Sequence, residues 1–241
     1  MTEHEQADGI AQARQAEEGT GEPASPAPDV EGVIELLGLV SYASLEAFFR
    51  LVEDASLAPS VPDRADLAGV AVTQFGHFTL LREHIIGLGV DPREAMRPFV
   101  EPIDAFHART APSDWLEGLI KAYVGDGIAA DFFRVTASLL DEPSRSLVLS
   151  VLADSGQAQF AIRRVRDAIA ADPAVAGRLA LWARRIMGEA LSQAQRVAAE
   201  REALARLLAG GSPAQLGEIG RMLAELTDSH AERMARLGLS D

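Results

Sequence analysis

The sequence predicts an all-α protein: a four-helix bundle with one long crossover, followed by two further helices at the C-terminal end. Apolar residues recur at spacings of three and four through most of the chain, the signature of helices with one buried face. Ala, Leu, Glu, Arg and Gln dominate and runs of β-branched residues are scarce, which favours helices over strands. Prolines and glycines cluster at intervals that end one periodic segment and begin the next. With 241 residues, 48% of them hydrophobic, the chain is long enough to bury a sizeable core in one large domain.

Residues 1–28 are expected to be a disordered acidic tail. They carry six acids against one base, so this segment holds −5 of the net charge of −14 and leaves −9 on the rest. Residues 29–241 form the folded domain, with a core bundle over 29–171 and C-terminal helices over 173–237. The first helix carries Ile34, Leu37, Ser41, Ser44, Phe48 and Leu51 on its inner stripe and stops before Pro59 and Pro62. The second runs from about Asp63 to Gly87–Gly89, with Leu67, Val70, Gln74, His77, Leu81 and Leu88 inward. Residues 90–112 hold four prolines and predict a crossover with a short helix near Arg93–Met96. Ser113 is the expected N-cap of a third helix reaching about Leu140, with Tyr123 and Asp126 on its stripe. A fourth helix follows Pro143 and ends near Ala171. Asp172-Pro173 opens a fifth to about Ala209, and Ser212-Pro213-Ala214-Gln215 starts a sixth to about Leu237. Core helices of roughly 27 residues are each about 40 Å long.

Several function classes drop out. The absence of cysteine excludes disulfide scaffolds, thiolate zinc sites and thiol catalysis, and fits a cytoplasmic protein. The polar N-terminus lacks a signal-peptide pattern, and no uninterrupted apolar run reaches membrane-spanning length, so no membrane association is expected. The acidic balance disfavours nucleic acid, tRNA included. Arg163, Arg164, Arg166, Arg184 and Arg185 are expected to be a salt-bridged surface. No phosphate loop, nucleophile elbow or His-Glu-x-x-His motif is present.

The informative feature is a set of polar residues on otherwise apolar stripes. Gln74-x-x-His77 on the second helix and Asp154-x-x-Gln157 on the fourth each place two polar side chains on one helical face. Ser44 precedes the first pair by 30 residues and Asp126 precedes the second by 28. Helix bundles that hold two metal ions place one Glu on each of two helices and a Glu-x-x-His on each of the others. Ser44, Gln74, His77, Asp126, Asp154 and Gln157 fall in those six slots.

The stretches Ala47-Phe48-Phe49-Arg50-Leu51, Phe75-Gly76-His77-Phe78, Asp114-Trp115-Leu116-Glu117-Gly118 and Tyr123-Val124-Gly125-Asp126-Gly127-Ile128-Ala129-Ala130-Asp131-Phe132 carry a resemblance, as do Leu152-Ala153-Asp154 and Gly188-Glu189-Ala190-Leu191-Ser192-Gln193-Ala194-Gln195. Over most of residues 30–237 the chain resembles an actinobacterial ferritin-like family related to the hydroxylase that acts on methylthio-isopentenyl-adenosine in tRNA. The resemblance implies a ferritin-like bundle and, for the hydroxylase relatives, a carboxylate-bridged di-iron centre that activates oxygen. Their pattern implies Glu at the positions of Ser44, Gln74, Asp126 and Asp154, and His at both His77 and Gln157. Only His77 is the implied residue type. The first expectation is therefore a degenerate, non-catalytic di-metal site. It would be either a metal-free polar network or a single weakly bound metal on His77, Asp126 and Asp154, with Ser44, Gln74 and Gln157 lining it. The alternative is an oxygen-dependent non-haem hydroxylase with an altered di-iron site, and only then is di-iron the expected cofactor.

Three lesser expectations complete the set. His84 is a half-buried structural histidine, and His107 makes a loop hydrogen bond beside a pocket. Leu179, Leu181, Trp182, Ile186 and Met187, spread around the fifth helix, suggest a homo-oligomer through the C-terminal helices.

Overall fold

In the computed structural model, residues 29–152, 157–209 and 216–240 are described. The expected tail and the Ser212-Pro213 helix start lie outside these residues. Helix α1 (Val30–Ala55) begins where the Asp29 side chain accepts the Gly32 N–H at 3.0 Å, satisfying one of the unpaired first-turn donors. Its inner face buries Val33, Leu36, Leu37, Val40, Ser41, Ser44 and Leu51. By length and composition α1 is apolar enough to cross a membrane, unlike the sequence expectation, but more than half of that apolar stretch is buried as bundle core.

Helix α2 (Val61–Gly87) starts two residues earlier than expected, because Ser60 caps it through the Asp63 N–H and Pro62 sits in the first turn. It lies along α1, burying Leu67, Ala71, Leu81 and Ile85, while Val61, Val72, Phe75, Leu80 and Ile86 remain exposed on its outer face. The His84 imidazole meets the Ser144 hydroxyl at 2.8 Å, a structural tie to the bundle's fourth side, as expected for this residue.

The crossover is more helical than its proline content suggests. It consists of α3 (Pro92–Met96), a 3₁₀ turn (Arg97–Phe99) and α4 (Val100–Arg109). Pro92, Pro98 and Pro102 each fall in a first turn, where a missing N–H leaves no bond unmade. Phe99 is fully buried, and Gly38 of α1 lets α3 come so close that an added Cβ would lie 2.1 Å from the Ala95 carbonyl oxygen.

Helix α5 (Trp115–Ala137) is capped by Asp114, not Ser113. Asp114 Oδ1 accepts the Glu117 N–H at 2.9 Å, and the Glu117 carboxylate reaches back to the N–H of Ser113, the residue before the cap, at 2.8 Å. The expected single fourth helix is instead α6 (Glu142–Val151) and α7 (Gln157–Ala171), with α6 ending at Leu152.

The fifth helix also divides. Helix α8 (Val175–Glu200) begins after a turn in which Asp172 Oδ1 accepts the Ala174 N–H at 3.0 Å. It stops at Arg201, where the backbone leaves helical geometry (φ −117, ψ 85), and α9 (Glu202–Leu208) follows. The break has a tertiary cause: Glu35 of α1 pairs with Arg201 and accepts the Leu204 N–H at 2.9 Å, capping α9 from across the fold. Helix α10 (Leu216–Leu237) returns along α5 and α7. Leu179, Trp182, Ile186 and Met187 are buried in one cluster with Leu119, Ile120, Met234 and Leu237. The apolar residues that suggested an oligomer through these helices are thus packed within the chain itself; Leu181, 65% exposed, is the exception.

Candidate metal centre

Of the six residues singled out by spacing, Ser44, Gln74, His77 and Asp126 line one cavity of about 330 Å³ between α1, α2, α5, α6 and α7. Helical periodicity explains the convergence: the i,i+3 pair on α2 and the single positions on α1 and α5 all face the bundle axis. Asp154 lies outside the described residues, and Gln157 opens α7 with its side chain outside them too.

Among the described residues no hydrogen bond joins these four side chains to one another; the other two members of the expected network, Asp154 and Gln157, have side chains outside the described set. The four stand around the cavity. Burial lowers the His77 imidazole below its ordinary value, which keeps it neutral. Burial likewise pushes the Asp126 carboxyl up to about 7. The Tyr123 hydroxyl borders the same cavity and has no hydrogen-bond partner among the described residues.

The wall also contains residues that sequence reasoning did not place there. Arg233 of α10, with its side chain 9% exposed, pairs with Asp131 and donates to the Gly127 carbonyl at 2.9 Å. Asp131, which the helical stripe puts off the core face, is also held by Arg134 at 2.8 Å. Gly127 makes room for this: a Cβ there would lie 2.3 Å from Arg233 Nε. That glycine, inside an otherwise regular helix, was the available sequence signal. Arg236 completes the basic side of the wall.

This architecture defines an all-α protein of ferritin-like fold. The family described as "Ferritin-like domain, actinomycetes" matches residues 29–211, and the chain belongs to it. Among solved structures the chain is similar to one described as "Protein 19 with aldehyde deformylating oxidase activity from Synechococcus". The two are 19% identical with a TM-score of 0.62, over 88% of this chain and 96% of the other, a likeness of fold. No curated protein matches the sequence.

The described side chains do not by themselves supply the ligands of a di-metal centre. Such a centre in a helix bundle draws on four carboxylates and two imidazoles. No group of three or more metal-binding side chains is assembled among the described residues. The described wall also contains a buried cation: the Arg233 side chain is 9% exposed beside Asp131, whereas Arg134 and Arg236 are exposed to solvent. Divalent cations in the cavity would be brought close to that guanidinium.

Proposed function

We propose that this chain is a non-catalytic ferritin-like protein of the tRNA-hydroxylase-like group, in which the di-metal site has degenerated into a metal-free cavity. The observation that carries this is Arg233: a cation from α10 is anchored on Asp131 and the Gly127 carbonyl in the wall where metal-neutralising carboxylates would be needed. The replacements at Ser44, Gln74 and Gln157 act in the same direction, since neutral hydroxyl and amide groups neither neutralise nor bridge divalent ions.

Metal analysis tests it. Protein loaded anaerobically with ferrous iron, then desalted, is expected to retain far less than one equivalent by mass spectrometry. Retention of one equivalent or more would overturn the proposal and favour the oxygen-dependent hydroxylase. A rebuilt site sharpens the test. Ser44→Glu, Gln74→Glu and Gln157→His together are expected to bind iron stoichiometrically only when Arg233→Met is added. Tight binding by the triple variant alone would remove Arg233 from the explanation.

A further inference from the structure

A second cavity, of about 240 Å³, lies inside the bundle and is closed by α1, α4, α5, α8 and α9. His107 borders it from α4, not from a loop, and its buried Nδ1 makes no hydrogen bond among the described residues. The feature that lacks a counterpart within the chain is on the outside, on α2. Residues 67–81 hold no Asp, Glu, Lys or Arg, so the middle of this helix is uncharged all round. A helix of that kind is normally covered on every side. Yet α2 packs chiefly on α1, and its opposite face is open. Val61, Val72, Phe75, Leu80 and Ile86 stand out from α2, and Phe49 and Val52 from the adjoining part of α1; all seven are between 45% and 79% exposed. The Phe48 ring links the two helices, 5.1 Å from the Phe49 ring and 5.2 Å from the Phe75 ring. At about 150–200 Å² for each whole side chain, the seven expose roughly 600–700 Å² of apolar surface. Monomeric proteins rarely leave so large a patch bare, and a standard interface buries about 800 Å² per partner.

The shape and charge of this face say what covers it. Residues 1–28 lack the means, since Met1 and Ile10 are their only large apolar side chains and the segment is acidic. An anionic membrane surface is disfavoured by the net charge of −14. The face does match itself. Large and small residues alternate along it, and a Cβ added at Gly69 or Gly76 would meet no atom within 4 Å, so both leave hollows in the surface. Glycine inside a helix is unfavourable unless a close approach makes use of it. In an antiparallel pair centred at Gln74, the midpoint of α2, residues equally distant from Gln74 stand at one level along the two helices. Val72 is then level with Gly76 of the second copy, Leu80 with Ala68, Thr79 with Gly69 and Val61 with Gly87. Large side chains meet small ones, which lets two helices approach to about 8–10 Å. Arg64 and Asp66 lie near one end of α2, Arg82 and Glu83 near the other, so the ends brought together carry no net charge to repel.

We propose that the open face of α2 binds a second copy of this chain in an isologous, antiparallel dimer, with the two-fold axis between Val72 and Gly76. Gln74 and His77 face the bundle cavity from the other side of α2, so the dimer does not depend on what that cavity holds.

Sedimentation equilibrium of the full-length protein is expected to show a dimer with a Kd of about 10 µM or below. Val72→Glu, at a position 68% exposed, is expected to weaken association at least about 100-fold with an unchanged far-UV helical signal, because each copy would bury an unpaired carboxylate. Val72→Lys is expected to do the same. An equimolar mixture of the two variants is expected to dimerise again, since the two-fold brings position 72 of one copy beside position 72 of the other. Leu181→Glu, on the exposed side of α8, is expected to leave the dimer intact. A wild-type protein that is monomeric at about 100 µM overturns the proposal. So does a dimer that survives Val72→Glu or is lost in Leu181→Glu, or a mixture of the charged variants that stays monomeric. A monomer that floats with uncharged phosphatidylcholine vesicles assigns the face to a membrane and likewise overturns it.

Discussion

His107 makes the protein sensitive to mild acid, and the size of the effect can be worked out. Burial first, then the Lys121 and Arg50 charges, lowers its imidazole from the ordinary 6.5 to about 3. A base whose folded pKa is depressed must stay neutral in the native state while the unfolded chain takes up the proton. Its contribution is therefore intact above 6.5 and is lost progressively as pH falls from 6.5 towards 3. Between pH 7 and pH 5 the loss amounts to about 2 kcal/mol, since each pH step of one below 6.5 is worth about 1.4 kcal/mol. His107→Gln removes the titration and keeps a polar side chain. Urea unfolding of both proteins at pH 7 and pH 5 isolates the effect. The wild-type stability minus that of the variant is expected to fall by about 2 kcal/mol at the lower pH, or about 4–8 °C in melting temperature for a chain of this size. The groups facing His107 are Lys121, Arg50, Asp54 and Gln193. Asp54, raised to about 6 by burial, titrates in the same window in both proteins and largely cancels in the subtraction. What remains acts in the same direction, because protonating Asp54 leaves Lys121 uncompensated beside the imidazole. A difference that stays constant within about 0.5 kcal/mol between the two pH values would refute the argument.

Two further substitutions probe the contacts that seat the crossover and break the fifth helix. Gly38→Ala pushes a methyl group to within 2.1 Å of the Ala95 carbonyl oxygen, which is backbone and cannot swing aside; it should destabilise the protein by about 3 kcal/mol in urea unfolding. A loss below about 0.5 kcal/mol would mean that α3 does not sit against α1. Glu35→Ala removes both the Arg201 pair and the cap on the Leu204 N–H, and should cost about 2–3 kcal/mol; Glu35→Gln keeps an acceptor for Leu204 and should cost about 1 kcal/mol. Equal losses in the two variants would show that Glu35 contributes its charge alone.

The limits of sequence legibility follow the range of the forces involved. Helix boundaries set by local chemistry are close: α2 and α5, capped by Ser60 and Asp114, start within two residues of the expected positions, because a cap bonds N–H groups of its own first turn. Boundaries set by distant partners were missed. The break at Arg201 is imposed by Glu35, which lies 166 residues earlier. The crossover's helices were underestimated because a proline count ignores whether each proline falls in a first turn. Among the site residues, Gln74 and His77 could be read because they share one helical face, and Asp126 because its own helix has a clear stripe.

The sequence by itself determined the all-α class, the order of the bundle helices and the polar positions that face the axis. Each of these depends on residues within one or two turns of each other, where periodicity and capping act. Tertiary structure alone decided what those positions face. It carries Arg233 from the last helix to Asp131 and Gly127, about a hundred residues earlier, which sets a buried guanidinium in the wall of the cavity. It also assembles Lys121, Asp54, His107 and Gln193 from four helices into one apolar cavity. Neither arrangement has a sequence period, because both arise from the packing of separate helices, where burial of apolar area and pairing of buried charge select one arrangement.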